Sequence, residues 1–172
     1  MASIVGFPDP VNEVSARVVA SGVVVLGLAT IVLDQPWLTA VIAYGFVARV
    51  VTGPTLSPLG QLATRVVTPR LAVEPRYVPG PPKRFAQAIG AVLSVTAALL
   101  ALGFGLPGAG YAVLGALMVA AGLEAALGLC LGCRMFALLM RVGVIPRDVC
   151  EHCVDLGWHG RRRNRRAATT VR

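Results

Sequence analysis

Charged residues are scarce in this chain of 172 residues, where Asp, Glu, Lys and Arg together make up 14%. Soluble globular domains carry about 25% charged residues. Aromatic residues are also few, at 6%, whereas hydrophobic residues reach 56% and glycine occurs 19 times. The longest apolar run has too few polar residues to form the polar face that a soluble helix repeats every 3.6 residues. The composition therefore excludes an ordinary soluble domain and indicates helices packed closely in lipid, where small residues let backbones approach.

No charged residue occurs between Phe85 and Leu123. One membrane-spanning helix needs about 20 apolar residues, so this run predicts two spans joined by the glycine-rich turn at 103–110. Two further apolar runs precede it, on either side of Asp34-Gln35-Pro36. We therefore predict an all-α polytopic membrane protein with four transmembrane helices arranged as two helical hairpins. The predicted spans are 16–33, 36–52, 85–104 and 110–131, within a transmembrane domain of residues 1–133.

Acidic residues are half as frequent as basic ones, 8 against 16, which gives a formal net charge of +8. The two turns inside the hairpins carry no Lys or Arg, whereas the segment between the hairpins and the C-terminal segment carry most of them. The positive-inside rule then predicts that both termini and the central loop are cytoplasmic. The basic tail at 161–172 is predicted to be disordered and to attract anionic lipid, and no nucleic-acid partner is expected.

Cysteine occurs only four times, and all four residues lie in one stretch near the C-terminus. They form two C-x-x-C pairs, Cys130/Cys133 and Cys150/Cys153. The first pair follows the fourth predicted span, and the second belongs to a short cytoplasmic segment, residues 134–160. Because the cytoplasm is reducing, permanent disulfides are not expected there. A metal site, reversible thiol chemistry, or a role as small apolar fillers remain as interpretations.

The spacing C-x2-C-x16-C-x2-C is typical of zinc sites, and four thiolates make a closed tetrahedral structural site. Such a zinc clamp would belong to a membrane scaffold or interaction protein. The C-x-x-C spacing is also that of disulfide exchange. In that interpretation Cys150/Cys153 pass electrons or a persulfide to Cys130/Cys133, the membrane-proximal pair. The C-terminal end of a span disfavours a thiolate at the first pair, whereas the start of a new helix would favour one.

One acidic residue interrupts a predicted span: Glu124, six residues before Cys130. Intramembrane carboxylates are costly and are usually either paired or functional. A structural ion pair with Arg17 or Arg49 is one hypothesis, and a proton acceptor beside the thiols is the other. Glu124 is also the only support for a third functional alternative, a small-solute transporter, since no discontinuous pair of helices is evident.

Four sequence blocks, FPDPVNEVSARV, GPTLSPLG, PGPPKRFAQAIG and LEAALGLCLGC, extend from Phe7 to Cys133. They resemble the signature blocks of a bacterial membrane family catalogued only as domain of unknown function 4395. Cys130 and Cys133 match the C-x-G-C block of that family. The resemblance implies a multi-pass protein of a bacterial inner membrane, but it implies no established activity. Members are often encoded near thioredoxin-like proteins and sulfurtransferases, which favours thiol redox or sulfur chemistry and a partner of one of these kinds.

The layout of four helices and two cysteine pairs is similar in architecture to that of quinone-linked disulfide-forming enzymes. This similarity adds a quinone to zinc as a candidate cofactor, although no residue pattern supports a quinone. The predicted cytoplasmic position of the cysteines is opposite to the oxidising side on which those enzymes make disulfides.

Overall fold

The structure is a computed structural model that describes residues 8–71, 73–146 and 149. Cys150, Cys153 and the predicted tail at 161–172 lie outside the described residues, so what we predict for them stays a prediction. The described chain is predominantly helical. Its elements, in order, are β1 (Val11–Asn12), α1 (Glu13–Val32), α2 (Leu38–Thr52), α3 (Pro58–Gln61), a π-helical segment (Leu62–Val67), α4 (Thr68–Arg70), β2 (Tyr77–Val78), α5 (Gly80–Ala98), a second π-helical segment (Leu99–Gly103), α6 (Pro107–Leu127) and α7 (Leu131–Val142).

Three helices are long and apolar enough to cross a membrane: α1, α5 together with its π-helical end (Gly80–Gly103), and α6. They correspond to the first, third and fourth predicted spans. The second predicted span, 36–52, corresponds to α2, an apolar helix of 15 residues, shorter than the roughly 20 that a full crossing requires. α2 ends where Gly53 adopts a positive φ of 62° and Pro54 follows, since proline does not continue a helix.

Several helices begin where a side chain accepts a hydrogen bond from a free N–H group of the first turn, or where a proline removes such an N–H group. Asn12 accepts a hydrogen bond from the Val14 N–H at 3.0 Å and caps α1. α5 begins at Gly80, five residues before the predicted start, because Pro81 and Pro82 fit a first turn in which no N–H partner is needed. The Asp9 carboxylate accepts from the Gly80 N–H at 2.9 Å. This earlier start places Lys83 on a helix rather than in a loop.

α1, α2, α5 and α6 form the bundle. Its buried core includes Val23, Phe46, Ala97, Leu114 and Leu117. Large apolar side chains also project outward along all four helices, among them Val25, Leu28, Tyr44, Val92 and Val119. In water such an apolar surface would promote aggregation, whereas in lipid it is the expected exterior of the bundle. The distribution of exposed side chains therefore agrees with the membrane character predicted from composition.

The two ends of the bundle are held by different contacts. At one end, Tyr111 donates a hydrogen bond to Asp34 at 2.8 Å, so the turn after α1 and the start of α6 lie together. At the other end, β1 pairs antiparallel with β2, with Asn12 opposite Tyr77. The chain leading into α1 is thereby tied to the chain leading into α5.

Close helix contact depends on small residues, and α6 offers a matched test. A Cβ atom at Gly110 would lie 2.8 Å from the Ala97 carbonyl oxygen of α5, whereas one at Gly115 meets nothing within 4 Å. We expect Gly110→Ala to lower the free energy of unfolding by about 1–3 kcal/mol, because it forces α5 and α6 apart. Gly115→Ala should leave it unchanged or raise it by up to about 1 kcal/mol. Reversible unfolding in mixed detergent micelles measures both, and equal losses in the two variants would contradict this packing.

Candidate functional site

The first cysteine pair lies at the N-terminal end of α7 and not within a span. α6 ends at Leu127 because Gly128 adopts a left-handed φ of 66°. Cys130 is extended and is the N-cap residue of α7, which begins at Leu131. The fourth span was therefore predicted four residues too long at its C-terminal end, since a glycine within an apolar run does not by itself reveal a left-handed turn. The new helix reverses the helix-dipole argument, because its positive end favours a thiolate.

The geometry of the pair gives its two thiols different roles. The Cys130 sulfur accepts a hydrogen bond from the Cys133 backbone N–H at 3.4 Å and from the Cys133 thiol at 2.6 Å. The hydrogen bond from the Cys133 thiol lowers the pKa of Cys130, and Lys83 and the Cys133 N–H lower it further, against burial and Glu124. The pKa of Cys133 is raised, first because its thiol is the donor in that bond. Cys130, which accepts both hydrogen bonds, is therefore the candidate nucleophile of the pair.

Gly132, between the two cysteines, positions α7 against α5. A Cβ atom at Gly132 would lie 2.6 Å from the Cα atom of Ala86, so only glycine permits this approach. One turn later, Phe136 packs on Phe85 with ring centroids 5.5 Å apart. Phe136 and Met140 are both buried. These contacts place the thiol pair beside the first turns of α5, where Lys83 lies.

Glu124 forms an ion pair with Lys83. The side chains of Lys83 and Glu124 are 8% and 17% exposed, so this is a largely buried pair. The hypothesis of a structural ion pair thus describes the geometry, but the expected partners, Arg17 and Arg49, were wrong. Lys83 was missed because the sequence placed it in a loop. The alternative role of Glu124 as a proton acceptor stays a prediction.

The two arginines expected near Glu124 have other partners. Arg17 donates to the Ala125 carbonyl oxygen from Nε and Nη2, at 3.1 and 2.9 Å, and thereby caps the C-terminal end of α6. Arg49 donates to Gln87 Oε1 at 3.0 Å and to Ser57 Oγ at 3.3 Å. The side chains of Arg17 and Arg49 are long enough to reach several neighbouring helices. Charge and sequence spacing alone therefore did not determine their hydrogen-bond partners.

Residues 11–141 match the family described as Domain of unknown function (DUF4395). The chain belongs to this family. No curated protein and no solved structure matches it. The DUF4395 match extends from β1 into α7, so the helix that carries Cys130 and Cys133 belongs to the family's domain. Cys150 and Cys153 lie beyond the matched residues.

The zinc hypothesis for this DUF4395 protein requires all four cysteines. Across residues 8–71, 73–146 and 149, no three His, Cys, Asp or Glu side chains are grouped as metal ligands. Cys130 and Cys133 would supply two ligands of a tetrahedral site, and Cys150 and Cys153 lie outside the described residues. The zinc clamp therefore stays a prediction.

The asymmetry of the thiol pair predicts a pH dependence. Because the pKa of Cys130 is lowered, we expect its alkylation by iodoacetamide to reach half its maximal rate below about pH 8.5, the pKa of a free cysteine. Cys133→Ala removes the thiol donor and should shift this midpoint upward. Cys133→Ser keeps a hydroxyl donor and should shift it less. Mass spectrometry locates the label on Cys130, and one midpoint shared by all three proteins would contradict the assigned roles.

The Lys83–Glu124 pair predicts a coupling in stability. Lys83→Met leaves a buried carboxylate without its partner and should lower the free energy of unfolding by roughly 3–5 kcal/mol. Adding Glu124→Leu should recover most of that loss, because the unpaired charge is then gone. Arg70→Met, at an exposed position with no side-chain hydrogen bond or ion pair among the described residues, is the matched control and should change stability by about 0.5 kcal/mol or less. Additive losses in the double variant would show that the two residues do not interact.

Proposed function

We propose that this protein performs thiol–disulfide or persulfide exchange at Cys130 and Cys133, at the cytoplasmic face of a bacterial inner membrane. One observation carries the proposal: Cys130 is the N-cap residue of α7 and accepts hydrogen bonds from both the backbone and the thiol of Cys133. A C-x-x-C pair in this position has a low-pKa attacking sulfur and an adjacent resolving thiol.

The proposed topology has four spans and cytoplasmic termini. α2 supports a fourth span because it lies beside α5 within the bundle: Phe46 contacts Gly90, and Arg49 bonds to Gln87. The end of the bundle that carries Arg17, Lys83 and Arg84 is the basic end, and the turns at the other end have no Lys or Arg. The positive-inside rule places the basic end in the cytoplasm, and α7 with its thiols follows at that end.

The exchange itself needs only the two thiols and a sulfur substrate. The Cys130 thiolate attacks one sulfur of a partner's disulfide, forms a mixed disulfide, and releases the other partner sulfur as a thiolate. Cys133 loses its proton and attacks the Cys130 sulfur, which expels the second partner thiolate. The Cys130–Cys133 disulfide has then formed, and the partner has been reduced by two electrons. The reverse sequence oxidises a partner dithiol.

Persulfide transfer uses the same nucleophile. The Cys130 thiolate attacks the outer sulfur of a donor persulfide, takes that sulfur, and releases the donor thiolate. In both chemistries we propose Cys150/Cys153 as the pair that exchanges with Cys130/Cys133, and a thioredoxin-like or sulfurtransferase protein as partner. Lys83 places a positive charge near the attacking sulfur, and its pairing with Glu124 limits the strength of that effect.

Metal analysis combined with thiol trapping tests the proposal. Full-length protein purified without chelator should contain no stoichiometric metal, and its thiols should cycle reversibly in two-electron steps. In Cys133→Ser combined with Cys150→Ser and Cys153→Ser, every thiol that could resolve the bond is absent, so a small disulfide should accumulate as a stable mixed disulfide on Cys130. Cys130→Ser is the matched control and should trap nothing at Cys133.

One zinc per chain with all four thiols protected would overturn the exchange proposal in favour of a structural clamp. In that case Cys150→Ser alone should lower the thermal stability of the protein, whereas an exchange protein should lose turnover and stay folded.

A further inference from the structure

After α2 ends at Thr52, the chain folds back along α2 towards the inside of the bundle. Ser57 accepts a hydrogen bond from Arg49 Nη1 at 3.3 Å, and Tyr44 donates to the Leu56 carbonyl oxygen at 3.3 Å. A Cβ atom at Gly45 would lie 4.0 Å from Ser57 Oγ. Gly45 lies about two turns, or roughly 10 Å, before the end of α2. The residues after α2 have therefore returned about that distance along the helix.

The helical stretch from Pro58 to Arg70 then runs outward along α1. Leu59 lies where a Cβ atom of Gly22 would be, and Ser15 and Thr68 share a hydrogen bond of 3.0 Å between their hydroxyl groups. Gly22 lies at the middle of α1, a helix of 20 residues whose length of about 30 Å equals the thickness of a bilayer core. The segment is thus re-entrant, with its innermost residues, 56–59, near mid-membrane depth.

Irregular backbone at this depth occurs only where it is buried in protein or lines a cavity. Ser57 is fully buried, whereas Leu56 and Pro58 are exposed. A cavity of about 230 Å³ lies between these residues, α1 and α2. Its walls are almost entirely apolar and include Val23, Leu26, Ile42 and Leu59. Arg49 is the one charged residue among those that line it.

Arg49 is 5% exposed, and its hydrogen-bond partners, Gln87 and Ser57, are neutral. The two ion pairs within the described part of the chain are Arg76–Glu13 and Lys83–Glu124, so no described carboxylate pairs with Arg49. Its guanidinium group also stacks 4.4 Å above the centroid of the Phe46 ring. The nearest acidic influence on Arg49 is Glu124, which acts on it electrostatically but is already paired with Lys83. The charge of Arg49 is therefore only partly compensated, which is unfavourable for a buried group.

The remaining nitrogen of Arg49, Nη2, has no hydrogen-bond partner among the described residues. Every fully buried side-chain nitrogen or oxygen there does have one, so Nη2 keeps some accessible surface. Arg49 is among the residues that line the cavity. The buried charges of Arg49, Lys83 and Glu124 sum to a single positive charge, which one monoanion would balance.

We propose that this cavity binds the head of a single-chain anionic amphiphile, a long-chain carboxylate, with the carboxylate on Arg49 Nη2. The apolar walls suit the first methylene groups of the chain, and the rest of the chain extends into the surrounding lipid. A two-chain phospholipid fits poorly, because its phosphate stays at the membrane surface and the cavity is small. This inference rests on the proposed membrane placement and is independent of the thiol chemistry.

Palmitate is the test probe, with hexadecanol as the matched neutral amphiphile and phosphatidylglycerol as the matched two-chain anion. Native mass spectrometry of the full-length protein in detergent should show one palmitate per chain, and palmitate should raise the Tm. Hexadecanol and phosphatidylglycerol should bind at least tenfold more weakly. Equal binding of hexadecanol would overturn the role of charge, and equal binding of phosphatidylglycerol would overturn the single-chain occupant.

Variants locate the site. Arg49→Gln should reduce palmitate affinity at least tenfold, whereas Arg49→Lys, which keeps the charge, should reduce it less. Gly45→Ala is a second variant that tests the site without changing Arg49, in case the arginine variants misfold. Its Cβ atom would lie 3.8 Å from Arg49 Nη1, an ordinary contact that only narrows the cavity. It should weaken palmitate binding several-fold, while the control Gly115→Ala should not. Unchanged affinity in both Arg49→Gln and Gly45→Ala would overturn the assignment.

Trapping of a mixed disulfide on Cys130, measured in the same samples, separates this inference from the proposed function. Palmitate binding without trapping would contradict only the exchange chemistry, and trapping without palmitate binding would contradict only the lipid site.

Discussion

The contact between Gly132 and Ala86 determines where the thiols are. Because neither residue holds the helices apart, α7 begins directly on the backbone of α5, and Phe136 and Met140 then bury its inner face. The cysteine pair is thereby held at the positive end of a helix and next to Lys83. A larger residue between the cysteines would retain the C-x-x-C spacing but would move the pair away from both sources of positive charge. The motif therefore depends on a packing contact as much as on its two sulfurs.

The buried charges form a second set of constraints at the same end of the bundle. Lys83 neutralises Glu124, and Arg17 satisfies the carbonyl groups at the end of α6. Arg49 reaches inward to Ser57 and holds the re-entrant residues against α2. Each of these groups would be unfavourable alone in an apolar interior, and each is accommodated by a neighbour from another helix. The bundle is thus an apolar structure with a polar layer concentrated near one end.

Sequence reasoning succeeded where a property depends on a long stretch of chain. The uncharged run after Phe85 predicted two helices that the structure contains, and the four sequence blocks identified the family that the match over residues 11–141 shows. Sequence reasoning failed where one or two residues determine the end of a helix or the direction of the chain. Gly128 ends α6 early, Pro81 and Pro82 start α5 early, and Gly53 with Pro54 turns the chain inward. The partners of Glu124 and Arg49 followed from these boundaries and were missed with them.

The sequence by itself indicated a membrane protein with long apolar helices, and it determined the spacing of the four cysteines along the chain, because these properties depend on composition and residue order. Only the tertiary structure decided that Cys130 caps a helix, that Lys83 pairs with Glu124, and that the residues after α2 fold back against α2 beside a cavity. The Lys83–Glu124 pair joins residues far apart in sequence. The Cys130 cap is a local contact, but it depends on the left-handed turn at Gly128 that ends α6. The local sequence pattern does not predict these contacts. They are determined by the packing of α1, α2, α5 and α7.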